Sequence, residues 1–258
     1  MLGLPRRIVK DSIQSTLSSM AETSSVPLDK SGTAIRDMFA GVAPRYDLLN
    51  HLLSASLDVL WRKRATAILA LPPGAEALDL CCGTGDQATA LRQRGARVVA
   101  ADFCVPMLAI ARRKFARQGV PRPRALAADA LALPFASRSF RGATVSFGLR
   151  NVANLDAALR QLSSVLRPGG KLVVLEFAIP KRQPLRGLYL FYFLRLLPWI
   201  GRSISPRGSA YTYLPNSVLG FPQRQEFLDR MTAAGFTDVA WEDLSGGTVC
   251  IYQGRIPG

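Results

Sequence analysis

The run Ala77-Leu78-Asp79-Leu80-Cys81-Cys82-Gly83-Thr84-Gly85-Asp86 constrains the fold more than any other stretch of this chain. A short apolar strand leads into a turn through two glycines separated by one residue. Such a turn brings bare backbone against a nucleotide-like ligand at the carboxyl end of the first strand of a doubly wound α/β sheet. With Ala88 the spacing also satisfies the dinucleotide fingerprint G-x-G-x-x-G/A, so the loop by itself leaves a dinucleotide and S-adenosylmethionine both open.

What surrounds the loop supports that fold. Short apolar runs at Ala77–Leu80, Val98–Ala101, Ala125–Ala128, Ala143–Phe147 and Leu172–Phe177 are of the kind buried in a parallel sheet. Helical patterns lie between them. The clearest follows Asn154, a candidate cap, and places Leu155, Ala158, Leu159, Leu162, Val165 and Leu166 on one face before Pro168-Gly169-Gly170 stops it. A last helix is expected from Pro222, an N1-type proline, to Gly235, followed by strands at Thr237–Trp241 and Thr248–Tyr252. The order predicts an α/β, Rossmann-like fold: five parallel strands and a final antiparallel pair in one mostly parallel, seven-stranded sheet.

Two additions flank this series. From Thr33 to Leu71 the spacing is helical, an N-terminal extension closed by Pro72-Pro73-Gly74. Residues of about 180–221 form an insert whose segment Leu188–Leu194 is apolar all round between Arg186 and Arg195 and ends at Pro198. A helix apolar on every face is buried, or touches lipid or a long apolar ligand. Residues 31–258 are read as a single domain. Residues 1–30, rich in serine, threonine and charge without periodicity, are read as a disordered or targeting tail.

Composition narrows the classes. A chain of 258 residues with 48% apolar residues can bury a full core. Its formal charge of +15 favours anionic partners, including anionic lipid, although no basic block interleaved with aromatics points to a nucleic-acid groove, and no nucleic-acid partner is expected. Four cysteines, at 81, 82, 104 and 250, lack metal or redox spacing, which fits a reduced intracellular protein. A single histidine, His51, leaves no multi-histidine metal site and is read as a helix residue without chemistry; no metal ligand set is assigned. No run reaches the roughly 18–20 apolar residues that span a bilayer.

Candidate ligand residues arrive in order at strand ends. Asp102 ends the second strand about 20 residues past the glycine loop, where a carboxylate can accept from ribose hydroxyls. Asp129-Ala130 ends the third strand, beside an adenine in this topology, and Ser146 lies at the end of the fourth. Arg150 and Asn151 follow directly over the same crevice, so Arg150 is read as functional rather than as a surface ion pair. Candidate cofactor residues are therefore Gly83, Thr84, Gly85, Asp102, Asp129, Ala130 and Ser146.

From these motifs a resemblance emerges. Tyr46-Asp47-Leu48-Leu49-Asn50 through Ser54 to Trp61, VSFGLRNV at Val145–Val152, Leu166-Arg167-Pro168-Gly169-Gly170 through Leu175-Glu176, and Tyr211-x-Tyr213-Leu214-x-x-Ser217 are similar to signatures of the ubiquinone/menaquinone biosynthesis C-methyltransferase family. The similarity covers roughly Ile35 to Gly254. Asp58 departs from it, standing where the family's first signature usually has histidine. Ser164 and Ala178 replace an arginine and a serine of the second signature, and Ser209-Ala210 stands where an acidic pair often precedes the YxYL motif. The double cysteine in LDLCCGTGD looks more like the demethylmenaquinone and phylloquinone branches than the ubiquinone branch.

The resemblance implies a class I S-adenosylmethionine-dependent methyltransferase fold and transfer of a methyl group to a ring carbon of a polyprenylated quinol. Demethylmenaquinol is the leading acceptor, and ubiquinone- or phylloquinone-precursor rings are the alternatives. It implies a water held by Arg150 and Tyr46, the candidate catalytic residues, with Asp102 supporting the group. The insert is expected to wall the isoprenoid tail and to touch a membrane; a core-packing role for the same helix stays open. A cytoplasmic location, peripheral on the inner face of the membrane, is expected, or an organellar one if the N-terminus is a transit peptide; a homodimer is an open expectation. Outside this class, a nicotinamide-dependent oxidoreductase rests on the glycine spacing alone and a basic RNA-binding scaffold on charge alone.

Overall fold

The computed structural model describes residues 32–43, 46–54, 56–119, 122–196 and 209–258. Both the expected tail at 1–30 and Pro198 fall outside them. The described helices are α1 (Gly32–Val42), α2 (Tyr46–Leu53), α3 (Leu57–Leu69), α4 (Asp86–Gln93), α5 (Val105–Ala116), α6 (Leu155–Val165), α7 (Leu185–Phe191), α8 (Ser209–Leu219) and α9 (Gln225–Ala233). The strands are β1 (Glu76–Leu80), β2 (Arg97–Asp102), β3 (Arg124–Ala127), β4 (Phe140–Ser146), β5 (Leu166–Phe177), β6 (Thr237–Leu244) and β7 (Val249–Arg255).

They form one seven-stranded sheet in the order β3-β2-β1-β4-β5-β7-β6. Strands β1 to β5 pair in parallel, and β7 runs antiparallel between β5 and β6. The chain reverses its direction of travel across the sheet between β1 and β4, and ligands bind outside the carboxyl ends of strands at such a switch. The register aligns those ends: Leu80 pairs with both Ala101 and Val145, and Ser146 with Leu175.

The central strands are largely apolar because helices cover both faces, whereas the edge strand β6 carries Asp238, Glu242 and Asp243. Along β5, Leu172 and Val174 join one core with Leu159, Leu162, Phe227 and Tyr252, whereas Val173 and Leu175 join the other with Leu108, Ala111 and Ile251. This is the two-residue alternation of a strand sealed on each side. All four are fully buried, and truncating either leucine to alanine is expected to cost about 2–5 kcal/mol.

Helix α6 starts where its cap was expected: Asn154 Oδ1 accepts the Ala157 N–H at 3.0 Å. Its end differs. The helix stops at Val165 and β5 begins at once with Leu166 paired to Phe140, so Pro168-Gly169-Gly170 forms an irregularity inside the strand rather than a separate turn. Helix α9 also corrects the reading. It begins at Gln225, not Pro222, because the Arg224 N–H donates to the Tyr252 hydroxyl at 2.9 Å and Arg224 adopts φ 55°. The helical extension Thr33–Leu71 is broken into α1, α2 and α3, with Ser56 in a left-handed turn before α3.

Candidate active site

Two cavities open at the carboxyl ends of the parallel strands and share Phe39, Tyr46 and Phe147. The smaller, about 160 Å³, is lined from the sheet by Gly83, Asp102, Asp129, Ala130 and Ser146, and from the extension by Arg36, Phe39 and Tyr46. Five of the seven residues expected to hold a cofactor therefore meet in one place.

Gly83 takes φ +54°, where side-chain-bearing residues are strained, and its N–H donates to Asp102 Oδ2 at 2.7 Å. Asp102 Oδ1 accepts the Cys104 N–H, also at 2.7 Å. Burial pushes the Asp102 carboxyl up, against the pull of these main-chain donors. Asp129 is exposed and accepts the Leu131 N–H at 2.9 Å, while Ser146 is buried 3.4 Å from Gln87 Oε1.

Thr84 and Gly85, the other two, do not line this cavity. The Thr84 hydroxyl turns away and donates to Asp47 Oδ1 at 2.5 Å. Gly85 caps α4 with φ +87°, and a Cβ there would lie 2.5 Å from the Phe115 ring. Its glycine is needed for packing under the loop, so the G-x-G spacing reports two different physical demands.

This cavity fits a nucleoside-bearing sulfonium cofactor on its own chemistry. Phe103, Met107 and Leu131 offer apolar surface to a purine, the Asp102 and Asp129 carboxylates offer acceptors to hydroxyl and amino groups, and Asn151 Oδ1 is buried there without a hydrogen-bond partner.

The larger cavity, about 310 Å³, is walled by aromatic rings and closed by α2, α3, α7 and α8. Phe147 lies 4.6 Å from Phe177, with the Arg62 guanidinium 5.5 Å from the first ring and that of Arg150 5.3 Å from the second. Among the described residues, ten buried side-chain N or O atoms lack a hydrogen-bond partner. Five of them belong to residues lining this cavity: Asp58 Oδ2, Arg62 Nε, Arg150 Nε and the hydroxyls of Tyr189 and Tyr213. Buried polar atoms are ordinarily paired, so this concentration marks a place where a ligand supplies the partners.

Arg150 is held there by a residue that the sequence reading did not assign. Its Nη1 donates to the Phe147 carbonyl and, at 2.9 Å, to Glu176 Oε2, and Glu176 is fully buried at the end of β5. Asp102, expected to support this group, lines the other cavity, where each of its oxygens accepts one main-chain N–H. An acidic residue closing a buried apolar strand was the available signal for Glu176, the same signal that identified Asp102. Burial holds the Tyr189 phenol well above its ordinary range and that of Tyr213 at about 12, with Arg150 pulling both down.

Tyr46 stands at the junction of the cavities, its ring edge-on to Phe39 at 6.1 Å. His51, expected to carry no chemistry, hydrogen-bonds through Nδ1 to Asp58 Oδ1 at 3.0 Å, and Ser54 Oγ donates to the same oxygen at 2.9 Å. Asp58 and Ser54 line the larger cavity.

A family model described as the ubiE/COQ5 methyltransferase family matches residues 28–255. A demethylmenaquinone methyltransferase of Thermus thermophilus is 48% identical over 222 residues, 85% of this chain and 100% of its own length. Another, of Mycolicibacterium paratuberculosis, is 42% identical over 230 residues, 89% and 97% of the two chains. Among solved structures, a methyltransferase of Thermotoga maritima aligns with a TM-score of 0.61 at 19% identity, covering 86% of this chain and 99% of that one. Phosphoethanolamine N-methyltransferase 2 of Haemonchus contortus, with S-adenosyl-L-methionine, aligns at 0.57 and 13% identity, covering 76% of this chain and 52% of its own. At such identities the structural likeness concerns the fold.

Proposed function

The chain belongs to the ubiE/COQ5 methyltransferase family, and from that premise we propose that it methylates a ring carbon of demethylmenaquinol to give menaquinol, with S-adenosyl-L-methionine as methyl donor. The observation that carries the reading is the aromatic cavity with unpartnered buried polar atoms around Arg150, joined to the glycine-loop cavity at Tyr46. The oxidoreductase alternative is not favoured, since the relatives described above are methyltransferases.

When bound, the cofactor supplies an electrophilic methyl group on sulfur, and the sulfur keeps the electron pair of the broken bond. The ring carbon needs electron density from the neighbouring hydroxyl, whose phenolic pKa lies near 10. A guanidinium in a closed apolar cavity favours the phenolate, and Arg150, clamped by Glu176 and Phe147, is placed to do this without moving. Tyr189 and Tyr213, kept protonated by burial, offer hydroxyls to the same oxygen.

After the carbon–carbon bond forms, the ring carbon must lose a proton. Arginine is no base at neutral pH, so Arg150 and Tyr46 serve by holding a water that carries the proton away. Holding both reactants in line across the shared wall supplies the larger part of the rate, for which orientation alone provides about 7–11 kcal/mol in favourable cases.

The insert extends this reading to the tail and the membrane. Tyr189, Tyr192 and Phe193 face the cavity, whereas Leu188 and Phe191 on the same turns are 64% and 65% exposed beside exposed Lys181, Arg182 and Arg186. One side walls the isoprenoid tail; the other rests on an anionic bilayer. No described helix is long and apolar enough to cross a membrane.

Incubation with methyl-labelled cofactor and demethylmenaquinol tests the function, with a ubiquinone-precursor ring as comparison. Label in menaquinol is expected at a higher rate than in the comparison ring. A protein that binds the cofactor but labels neither ring would refute the proposal.

A further inference from the structure

The larger cavity carries two groups of polar side chains, one beside each ring of the Phe147–Phe177 pair: the Arg150 guanidinium lies against Phe177, and that of Arg62, the neighbour of Asp58, against Phe147. At one, Arg150 and Glu176 stand near Tyr189 and Tyr213. At the other, Asp58 is 3% exposed at the start of α3, with His51 Nδ1 and Ser54 Oγ both on Oδ1 and Oδ2 without a hydrogen-bond partner. The nearest cation, Arg62 Nε, is 3.8 Å from Oδ2, too far for a hydrogen bond, and it too lacks a partner. The catalytic chemistry above uses none of these four residues.

Resting on the proposed function, we infer that Asp58, oriented by His51 and Ser54, is a specificity-determining residue that accepts a hydrogen bond from the ring hydroxyl remote from Arg150 and so selects the reduced ring over the oxidised one. An ionised carboxylate is an acceptor only. A quinol presents a hydroxyl donor to it. A quinone presents a carbonyl oxygen, and two acceptors facing each other in a dry cavity leave both unpaired, which is the arrangement that discriminates most strongly between close analogues. The carboxylate stays charged in place: burial alone would raise its pKa, but the His51 and Ser54 hydrogen bonds and the Arg62 charge hold it below the ordinary value. The discrimination has chemical sense, because only the reduced ring carries the hydroxyl that activates the carbon.

The test is an anaerobic binding titration of the full chain, saturated with S-adenosylhomocysteine, using tail-less 1,4-naphthoquinol, 1,4-naphthoquinone and 1,4-dimethoxynaphthalene. The wild-type protein is expected to bind the quinol at least about tenfold more tightly than the quinone, the span of one well-placed hydrogen bond to a charged group. Asp58→Asn should bring the two within about twofold, since an amide also donates to a carbonyl, and Asp58→Glu should retain part of the preference. Affinity for S-adenosylhomocysteine should be unchanged in both. The dimethoxy ring, which has no donor, should bind the wild type as weakly as the quinone; that comparison needs no variant and stands if Asp58→Asn folds poorly. Equal binding of quinol and quinone by the wild type, or a preference that survives Asp58→Asn, overturns this inference alone. Failure of the wild type to bind any of the three rings overturns the proposed function together with it.

Discussion

The Thr84 hydroxyl donates to the Asp47 carboxylate at 2.5 Å, and this contact fastens the glycine loop to the helix that begins with Tyr46. Lys114 of α5 completes the clasp, its ammonium 2.8 Å from Asp47 Oδ2 and 2.5 Å from Asp86 Oδ1. Three segments that share no strand pairing are thereby held around the junction of the two cavities. The pairing favours both charged forms: against the opposing effect of burial, Lys114 and Thr84 hold the Asp47 carboxyl below its ordinary value, and Asp86 and Asp47 raise the Lys114 ammonium.

Thr84→Val keeps the shape of the side chain and removes the donor. The variant should fold normally yet hold Tyr46 less firmly, so kcat should fall roughly 5- to 30-fold, as expected when about 1–2 kcal/mol of a hydrogen bond to a charged group is lost. Cofactor affinity, measured by calorimetry with S-adenosylhomocysteine, should weaken by no more than a few-fold because the Thr84 side chain lies outside that cavity. A large loss of affinity with kcat unchanged would instead make Thr84 a direct ligand.

Arg150 and Glu176 form a buried pair, 7% and 0% exposed at their side chains, and such pairs are costly to break from one side. Arg150→Ala should cut turnover by two orders of magnitude or more while leaving cofactor binding within a few-fold. Glu176→Ala should lower both turnover and melting temperature, with a stability loss of about 3–5 kcal/mol. Combining the two substitutions should cost less stability than the sum of the single losses, since neither charge is then left alone. Additive melting-temperature losses would show that the pair is not coupled.

Much of this was legible in the chain, and the parts that were not share a cause. Parallel strands buried in the sheet are continuous apolar runs, so β1 to β5 announce themselves, and an asparagine directly before an apolar helical face reveals the cap of α6. Residues at strand ends, Asp102, Asp129, Ser146 and Arg150, converge because the topology alone brings strand ends together. Side-chain direction was not legible. Thr84 sits between two cavity-loop glycines yet points to Asp47, and Gly85 answers to Phe115, because left-handed turns re-aim each successive residue. The Arg150–Glu176 and Asp58–His51 pairs depend on which face a residue presents, and no periodic pattern encodes that at a strand or helix terminus.

The outward face of α7 predicts a separable membrane function. Leu188→Ser with Phe191→Ser removes the two most exposed large apolar side chains among the described residues of the insert without touching the cavity lining. Flotation with vesicles containing anionic lipid should fall to background for this variant, while methyl transfer to a tail-less acceptor in solution stays within about twofold of wild type. Retained flotation would assign binding to another surface, and lost solution activity would return the helix to the protein core.

Asp79 predicts a pH dependence of stability distinct from that of the clasp. It is fully buried on β1 beneath the glycine loop, with Oδ1 accepting the Thr144 hydroxyl at 2.9 Å and Oδ2 without a partner. Burial pushes its carboxyl up to about 7, opposed by the Thr144 hydrogen bond and the Arg62 charge. A group whose pKa is raised on folding stabilises the protein fully below its unfolded value, near 4, and that contribution is lost as pH rises through 7. The melting temperature should therefore decline as pH rises from about 4 to about 7 and level off above that, by several degrees if the effect amounts to a few kcal/mol. Asp79→Asn keeps an acceptor for Thr144 and cannot ionise, so its profile should be flatter over that range, with the variant gaining on wild type as pH rises toward 7 and the gap staying constant above it. The clasp opposes this trend only in acid: the lowered Asp47 carboxyl loses its contribution as pH falls below about 4, outside the window that Asp79 controls. Thermal melts of both proteins from pH 5 to pH 9 decide the matter, and parallel profiles would mean that Asp79 is charged in the fold at every pH tested.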